Sequence, residues 1–308
     1  MQPSKLSFSQ RHPLLLCLVL IMAAMALFAG AVAAFRLTEG TAVGSLFRES
    51  RLGICYVRGT IMDASRTVAW LRELRDDASV KGVLVRINSP GGAVAPSQEL
   101  YSAVKRLAEH KPVVVSMGTA AASGGYYIAV AADYIVANPS SLTGSIGVKM
   151  ELANMEGLME KLGVGRTALT SGALKDAGTP FRPMTEKDRA YLQGLVADMY
   201  EQFIEAVVKG RRMSDAAVRA VADGRALTGR QAYLLGLVDE LGDMETAQRK
   251  LAQLADVPTD TPYVEEPPEK TSLLRELLTV ALGLAPASLA DIWGTTEGIR
   301  EDVRFLYR

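Results

Sequence analysis

Residues Thr119 to Ala129 read TAAASGGYYIA, with one serine, Ser123, between alanines and glycines directly after the apolar run PVVVSMG. Small neighbours suit a tight strand-to-helix turn, and they also keep the approach to a nucleophile open. A second glycine-rich turn, NSPGG from Asn88 to Gly92, follows the apolar run VLVRI. Glycines in such turns let backbone N–H groups come close to a ligand. In an open parallel sheet, ligands bind beyond the carboxyl ends of the strands. Turns after two neighbouring strands can therefore bring a serine and two N–H donors to one point. Those are the parts of an acyl-transfer site, a nucleophile and an oxyanion hole.

A serine nucleophile needs a base, and the chain holds 2 histidines. His12 precedes a long apolar segment near the N-terminus. His110 enters the strand-like run KPVVVSM, while Ser123 lies beyond that run's other end. Five or six extended residues separate such positions by roughly 17 to 20 Å, against a hydrogen-bond reach of about 3 Å. This disfavours a Ser–His–Asp triad within one chain and leaves only a His110 from another subunit. Lysine is the remaining base for a serine. A lysine base must shed its proton near neutral pH, so its pKa has to fall from about 10.4 towards 7. Lys105, Lys187, Lys209 and Lys250 sit in helical patterns as ordinary solvated side chains. Lys175, in the loop TSGALKDAGTP, and Lys149, in the strand-like TGSIGVKME, stand apart from them. Spacing does not choose between these two.

The elements that must position these residues alternate between two periodicities. GICYVRGTI, VKGVLVRI and KPVVVSMG read as strands, and the second is nearly continuous in apolar residues, as a strand buried on both faces is. ASRTVAWLRELRDD and PSQELYSAVKRLAEH read as helices, the first with Val68, Leu71 and Leu74 at helical spacing and the second with Pro96 in its first turn. YIVANPSSLTGSIGVKM supplies short strands and turns. Met184 to Val221 is mostly helical, broken at KGRRMSD. Thr228 and Gln231 form a capping box for GRQAYLLG; GLVDELG is a short strand and METAQRKLAQLA a closing helix. The rhythm predicts an α/β domain with a largely parallel sheet and right-handed crossovers.

The 34 basic and 34 acidic residues cancel, which removes the electrostatic footprint of a nucleic-acid binder. Pro13 to Phe35 contains no charged residue. As a helix this stretch measures roughly 35 Å, enough to cross a bilayer's hydrocarbon core. It is longer than the apolar region of a cleavable signal peptide, although AVA at Ala31 to Ala33 suits a cleavage site. Lys5, Arg11 and His12 precede it and only Arg36 follows closely, which puts the N-terminus in the cytoplasm. Of the 2 cysteines, Cys17 lies in this span and Cys55 in a strand-like run, where it reads as a buried small hydrophobe. Pro258 to Lys270 is a linker by composition. Beyond it SLLRELLTVALGLA forms an apolar stripe, with Ser272 as N-cap, suited to packing on the domain, a neighbouring subunit or a lipid surface.

NSPGG, MGTAAASGGYYIA, LTGSIGV and SGALKD, in this order, resemble the bacterial signal peptide peptidase A family, the protease IV-like serine–lysine peptidases, over residues 52 to 257. The resemblance implies Ser123 as nucleophile, Lys175 as its base, and the N–H groups of Gly92 and Gly124 as oxyanion-hole donors. Ser145 of TGSIG matches a hydroxyl that holds the lysine amine, while Lys149 has no catalytic counterpart. The implied fold is a crotonase/Clp protease-like α/β domain of repeated ββα units, here preceded by one transmembrane helix. The implied assembly is a ring-like homo-oligomer in which neighbouring subunits contribute the serine and the lysine of one site. This chain holds one such domain where the enterobacterial form holds two.

The expected organisation is a cytoplasmic N-terminus over 1–12, a transmembrane anchor over 13–35 and a linker over 36–51. A peptidase domain over 52–257 and an amphipathic tail over 258–308 complete it. The expected function is a serine endopeptidase of the bacterial cytoplasmic membrane, its catalytic domain outside the cytoplasm, degrading cleaved signal peptides left in or at the bilayer. Peptides, lipid and further copies of the chain are its partners, with no nucleic acid, and it needs no metal or other cofactor. Two rivals are an acyl-CoA enzyme on the related fold, whose paired N–H groups stabilise a thioester enolate, and a catalytically silent membrane scaffold.

Overall fold

The structure is a computed structural model that describes residues 20–28, 30–31, 49–267 and 305–307. It divides into two units, Met1–Ser50 and Arg51–Arg308. In the first, residues 20–28 are helical, and Leu20, Ile21, Met22, Met25, Leu27 and Phe28 are exposed. Among the described residues no helix is long and apolar enough to cross a membrane. The rest of the expected span from Pro13 to Phe35 lies outside them. So do His12, Cys17 and the amphipathic stretch of the tail.

The second unit is built on a sheet whose strands show their two faces in the sequence. The spine runs β10–β1–β2–β4–β5–β9, all parallel, from β1 (Arg51–Arg58), β2 (Val80–Ser89), β4 (Val113–Ala122), β5 (Tyr134–Ala137), β9 (Glu240–Leu241) and β10 (Tyr263–Val264). Alternate residues point to opposite faces. Cys55, Val57, Val83, Val85, Val113, Val115 and Ile135 therefore join one core. Leu52, Ile54, Leu84, Val114 and Val136 join the other. The first face is covered by α1 (Ser65–Asp76), α2 (Val94–Ala108), α3 (Gly124–Ala129) and α5 (Glu186–Arg211), which contribute Leu71, Leu74, Leu100, Val104, Tyr126, Phe203 and Val207. The second face is covered by α8 (Met244–Leu254), through Ala247 and Leu251. Trp70 of α1 adds a polar lock, its indole N–H donating to the Ile54 carbonyl at 2.9 Å.

Two features differ from the sequence-based expectation, and a third stays within the largely parallel sheet that was expected. β4 continues through Thr119–Ala122, because β6 (Leu142–Gly144) pairs with Ala120–Ala122 and carries the ladder on past β5. The small residues before Ser123 are thus strand, and the turn begins at the serine itself. Next, part of the compositional linker joins the sheet: β10 pairs with β1, and Leu52 N–H donates to the Pro262 carbonyl at 2.9 Å. Last, the parallel sheet ends in antiparallel pairing, with β8 (Ala226–Thr228) running against β6.

A separate antiparallel sheet has the order β3–β11–β7, made of β3 (Gly92–Ala93), β11 (Phe305–Tyr307) and β7 (Lys149–Met150). α4 (Glu156–Lys161), α6 (Asp215–Arg219) and α7 (Gly229–Leu234) complete the described helices, and α7 starts on the expected Thr228–Gln231 capping box.

Candidate active site

Ser123 sits between the end of β4 and the start of α3, with φ 55° and ψ −118°. For a residue other than glycine this is a strained conformation, costing on the order of 1–3 kcal/mol. Two backbone hydrogen bonds enforce it: Ser123 N–H donates to the Gly144 carbonyl and its own carbonyl accepts from Tyr127 N–H, each at 2.8 Å. The side chain is fully buried, and Oγ has no hydrogen-bond partner among the described residues. A buried hydroxyl left unpaired costs roughly 1–3 kcal/mol. Strain and an unpaired hydroxyl thus coincide on one residue at a strand-to-helix elbow.

The glycines around it are required by close approach. A Cβ on Gly124 would overlap Ser97 Oγ, and it would stand 3.3 Å from Gly92 N. A Cβ on Gly92 would overlap the Ile61 carbonyl. Gly92 is drawn in by Ile61, whose N–H donates to the Gly91 carbonyl at 2.9 Å and whose carbonyl accepts from Ala93 N–H at 2.7 Å. Gly91, with φ 105°, makes the turn, and Ser89 Oγ accepts its N–H at 3.1 Å. The backbones of Gly92 and Gly124 therefore meet beside Ser123.

Ser145 follows Gly144, the residue that holds Ser123 N–H. It has φ 50°, is buried, and donates its N–H to the Arg225 carbonyl at 2.9 Å. The fold thus gathers Ser123, Gly92, Gly124 and Ser145. Lys175 is exposed, in a turn where its backbone N–H donates to the Gly172 carbonyl at 3.1 Å. No hydrogen bond joins it to Ser123. Lys149 lies on β7, with Nζ donating to Glu151 Oε1 at 2.6 Å. His110 is exposed, its Nδ1 2.8 Å from the Arg106 carbonyl. Cys55 is fully buried, and burial pushes its thiol far above the usual range, which keeps it unreactive. Among the described residues no group of three or more acidic, histidine or cysteine side chains is placed to hold a metal ion.

Two residues at the site were missed in the sequence, Ile61 and Ser97. Ser97 is fully buried in α2 and donates to the Ala93 carbonyl at 2.8 Å. It had a signal: with Val94, Leu100 and Val104 it forms the buried stripe of its helix, and it is the polar member. Ile61 had none, because its role is a backbone contact across the chain.

The α/β fold is Clp protease-like, and a Clp protease family model matches residues 41–142. The model for peptidase family S49 matches residues 105–258. A candidate protease of Synechocystis sp. is 39% identical over 246 residues, covering 79% of this chain and 88% of that one. A candidate protease of Methanocaldococcus jannaschii is 46% identical over 195 residues, 63% of each chain. Protease 4 of Haemophilus influenzae is 36% identical over 222 residues, 69% of this chain but 36% of that protein. The chain belongs to peptidase family S49, and it is a serine peptidase.

Proposed function

We propose that the protein is a membrane-anchored endopeptidase working through a Ser123–Lys175 dyad on signal peptides left in or at the membrane. The observation that carries this reading is the buried, strained and unpaired Ser123 hydroxyl beside the backbones of Gly92 and Gly124. Ser123 Oγ attacks the peptide carbonyl, and the neutral Lys175 amine takes its proton and later delivers it to the leaving amine. The Gly92 and Gly124 N–H groups receive the oxyanion, and the Ser145 hydroxyl orients the amine. Water then releases the acyl group by the same route.

An extended substrate is supported by β11, which lies antiparallel between Gly92–Ala93 and Lys149–Met150. The rim of the site therefore accepts a peptide strand, a shape that an acyl-CoA lacks. A relative from Enterococcus faecium, 41% identical over 178 residues, bears the name signal peptide peptidase, and that name supports the substrate class. Anchoring is supported by the uncharged run from Pro13 to Phe35 and by the exposed apolar side chains of residues 20–28. In this topology the N-terminus is cytoplasmic and the peptidase unit is outside.

The exposure of Lys175, against a fully buried Ser123 hydroxyl that has no hydrogen-bond partner among the described residues, supports sites shared between subunits of a homo-oligomer. Lys175 lies on an arm with Leu158, Leu162, Val164 and Leu169 all exposed, a surface suited to a second copy. The test is turnover of a fluorogenic apolar peptide by Ser123→Ala, Lys175→Ala and a mixture of the two. Each variant alone falls to background, and the mixture regains activity. Normal turnover by either variant overturns the dyad, and turnover of acyl-CoA thioesters in place of peptide overturns the substrate class.

A further inference from the structure

From residue 147 to residue 187 no side chain is buried. The hydrophobic effect therefore does little to hold the arm that carries Lys175, and α4 within it has no buried residue at all. Polar contacts hold it instead, and they converge on Arg182. Its Nε donates to Asp176 Oδ2 at 3.3 Å and its Nη2 to the Asp176 carbonyl at 3.1 Å. Its Nη1 donates to Asp188 Oδ2 at 2.5 Å. Asp176 is the residue after Lys175. Asp188 is in the first turn of α5 and is 2% exposed.

Asp188 is itself fixed from the other side. Its Oδ2 accepts Thr185 N–H, and its own N–H donates to Thr185 Oγ1, each at 3.1 Å, closing a capping box. α5 is then anchored in the core by Phe203, Ile204 and Val207. Arg166 supports the same corner, with Nη2 3.9 Å from Asp176 Oδ1 and its guanidinium 4.5 Å over the Phe181 ring. One guanidinium thus links the residue beside Lys175 to the first buried carboxylate of a long, core-packed helix.

We infer that Arg182 is a positioning residue for the peptidase reaction, clamping Asp176 to Asp188 so that Lys175 is presented at a fixed place. This rests on Lys175 being the base. A planar guanidinium can engage both carboxylates at once, whereas an ammonium is a single point of charge. Arg182→Lys therefore keeps the charge and loses the bridge. Misplacement of a reacting group by about 1 Å costs on the order of 10²-fold in rate. The clamp bonds Asp176, beside the proposed base, and makes no hydrogen bond to Gly92–Ala93 or Lys149–Met150 of the rim, so its loss belongs in kcat.

The experiment measures kcat, KM and Tm of the full chain on a fluorogenic peptide. Arg182→Met lowers kcat by about 10- to 100-fold, with KM within about twofold. Asp176→Asn, which leaves the Arg182–Asp188 contact and the capping box in place, lowers kcat in the same way and serves if Arg182→Met does not fold. Arg182→Lys recovers part of kcat. Thr185→Ala, which removes the cap alone, lowers Tm and leaves kcat unchanged. Wild-type kcat in both Arg182→Met and Asp176→Asn overturns the proposal, as does a loss in Arg182→Met that Thr185→Ala matches. Lys175→Ala separates the two layers: full activity there overturns the base assignment, whereas an inactive Lys175→Ala with an unimpaired Arg182→Met overturns only the clamp.

Discussion

Ser123 bears two costs at one position, a left-handed backbone and a buried hydroxyl without a partner. Proteins retain such costs where function needs them, and stability rises when they are removed. Ser123→Ala keeps the backbone strain and deletes the unpaired oxygen. It is expected to raise Tm by about 2–4 °C, the shift that corresponds to about 1 kcal/mol in a domain of this size, while abolishing turnover. Thermal melting checks this, and a lower Tm would mean that the hydroxyl has a stabilising partner. At this scale much of the site was legible: a serine among small residues and a pair of glycine-rich turns need no tertiary knowledge to stand out. Ile61 did not stand out, because nothing in its type reports that its carbonyl lies where a Gly92 side chain would be. Nor did residue type alone separate Lys175 from Lys149, which the structure shows engaged with Glu151.

Among the elements, those with a strong period were legible and those set by pairing were not. α1 and α2 follow from their apolar spacing, and the Thr228–Gln231 box fixed the start of α7. The two-residue strand β10, inside the compositional linker, carries too little pattern to be read, since only its partner β1 makes it a strand. The second capping box, at Thr185 and Asp188, also controls a pH response. The Arg182 guanidinium, then the Thr185 N–H, hold the Asp188 carboxyl well below the usual carboxylate range. A depressed folded-state pKa contributes stability that is complete above the unfolded value of about 3.9 and is lost as pH falls towards the folded value. The Tm of the wild type should therefore drop more steeply between pH 5 and pH 2 (both about the window set by that unfolded value) than that of Asp188→Asn. Equal slopes would contradict this account of the clamp's electrostatics.

For the whole molecule, the parts of the site divide between two kinds of structure. Ser123 and Gly92, the proposed nucleophile and one proposed oxyanion donor, follow closely on the buried strands β4 and β2, and Gly124, the other proposed donor, opens α3. The proposed base rides on an arm with no core of its own, tied down by ions. Nearly continuous apolar runs made the sheet and its two covered faces legible. How the arm holds Lys175 was not, because the guanidinium bridge that ties it down leaves no periodic trace. The dyad is the claim on which the rest depends, and the most direct measurement is covalent labelling by a fluorophosphonate probe, mapped by peptide mass. The account predicts an adduct on Ser123 in the wild type and none above background in Lys175→Ala. An adduct formed equally fast without Lys175, or one on another residue, would contradict it.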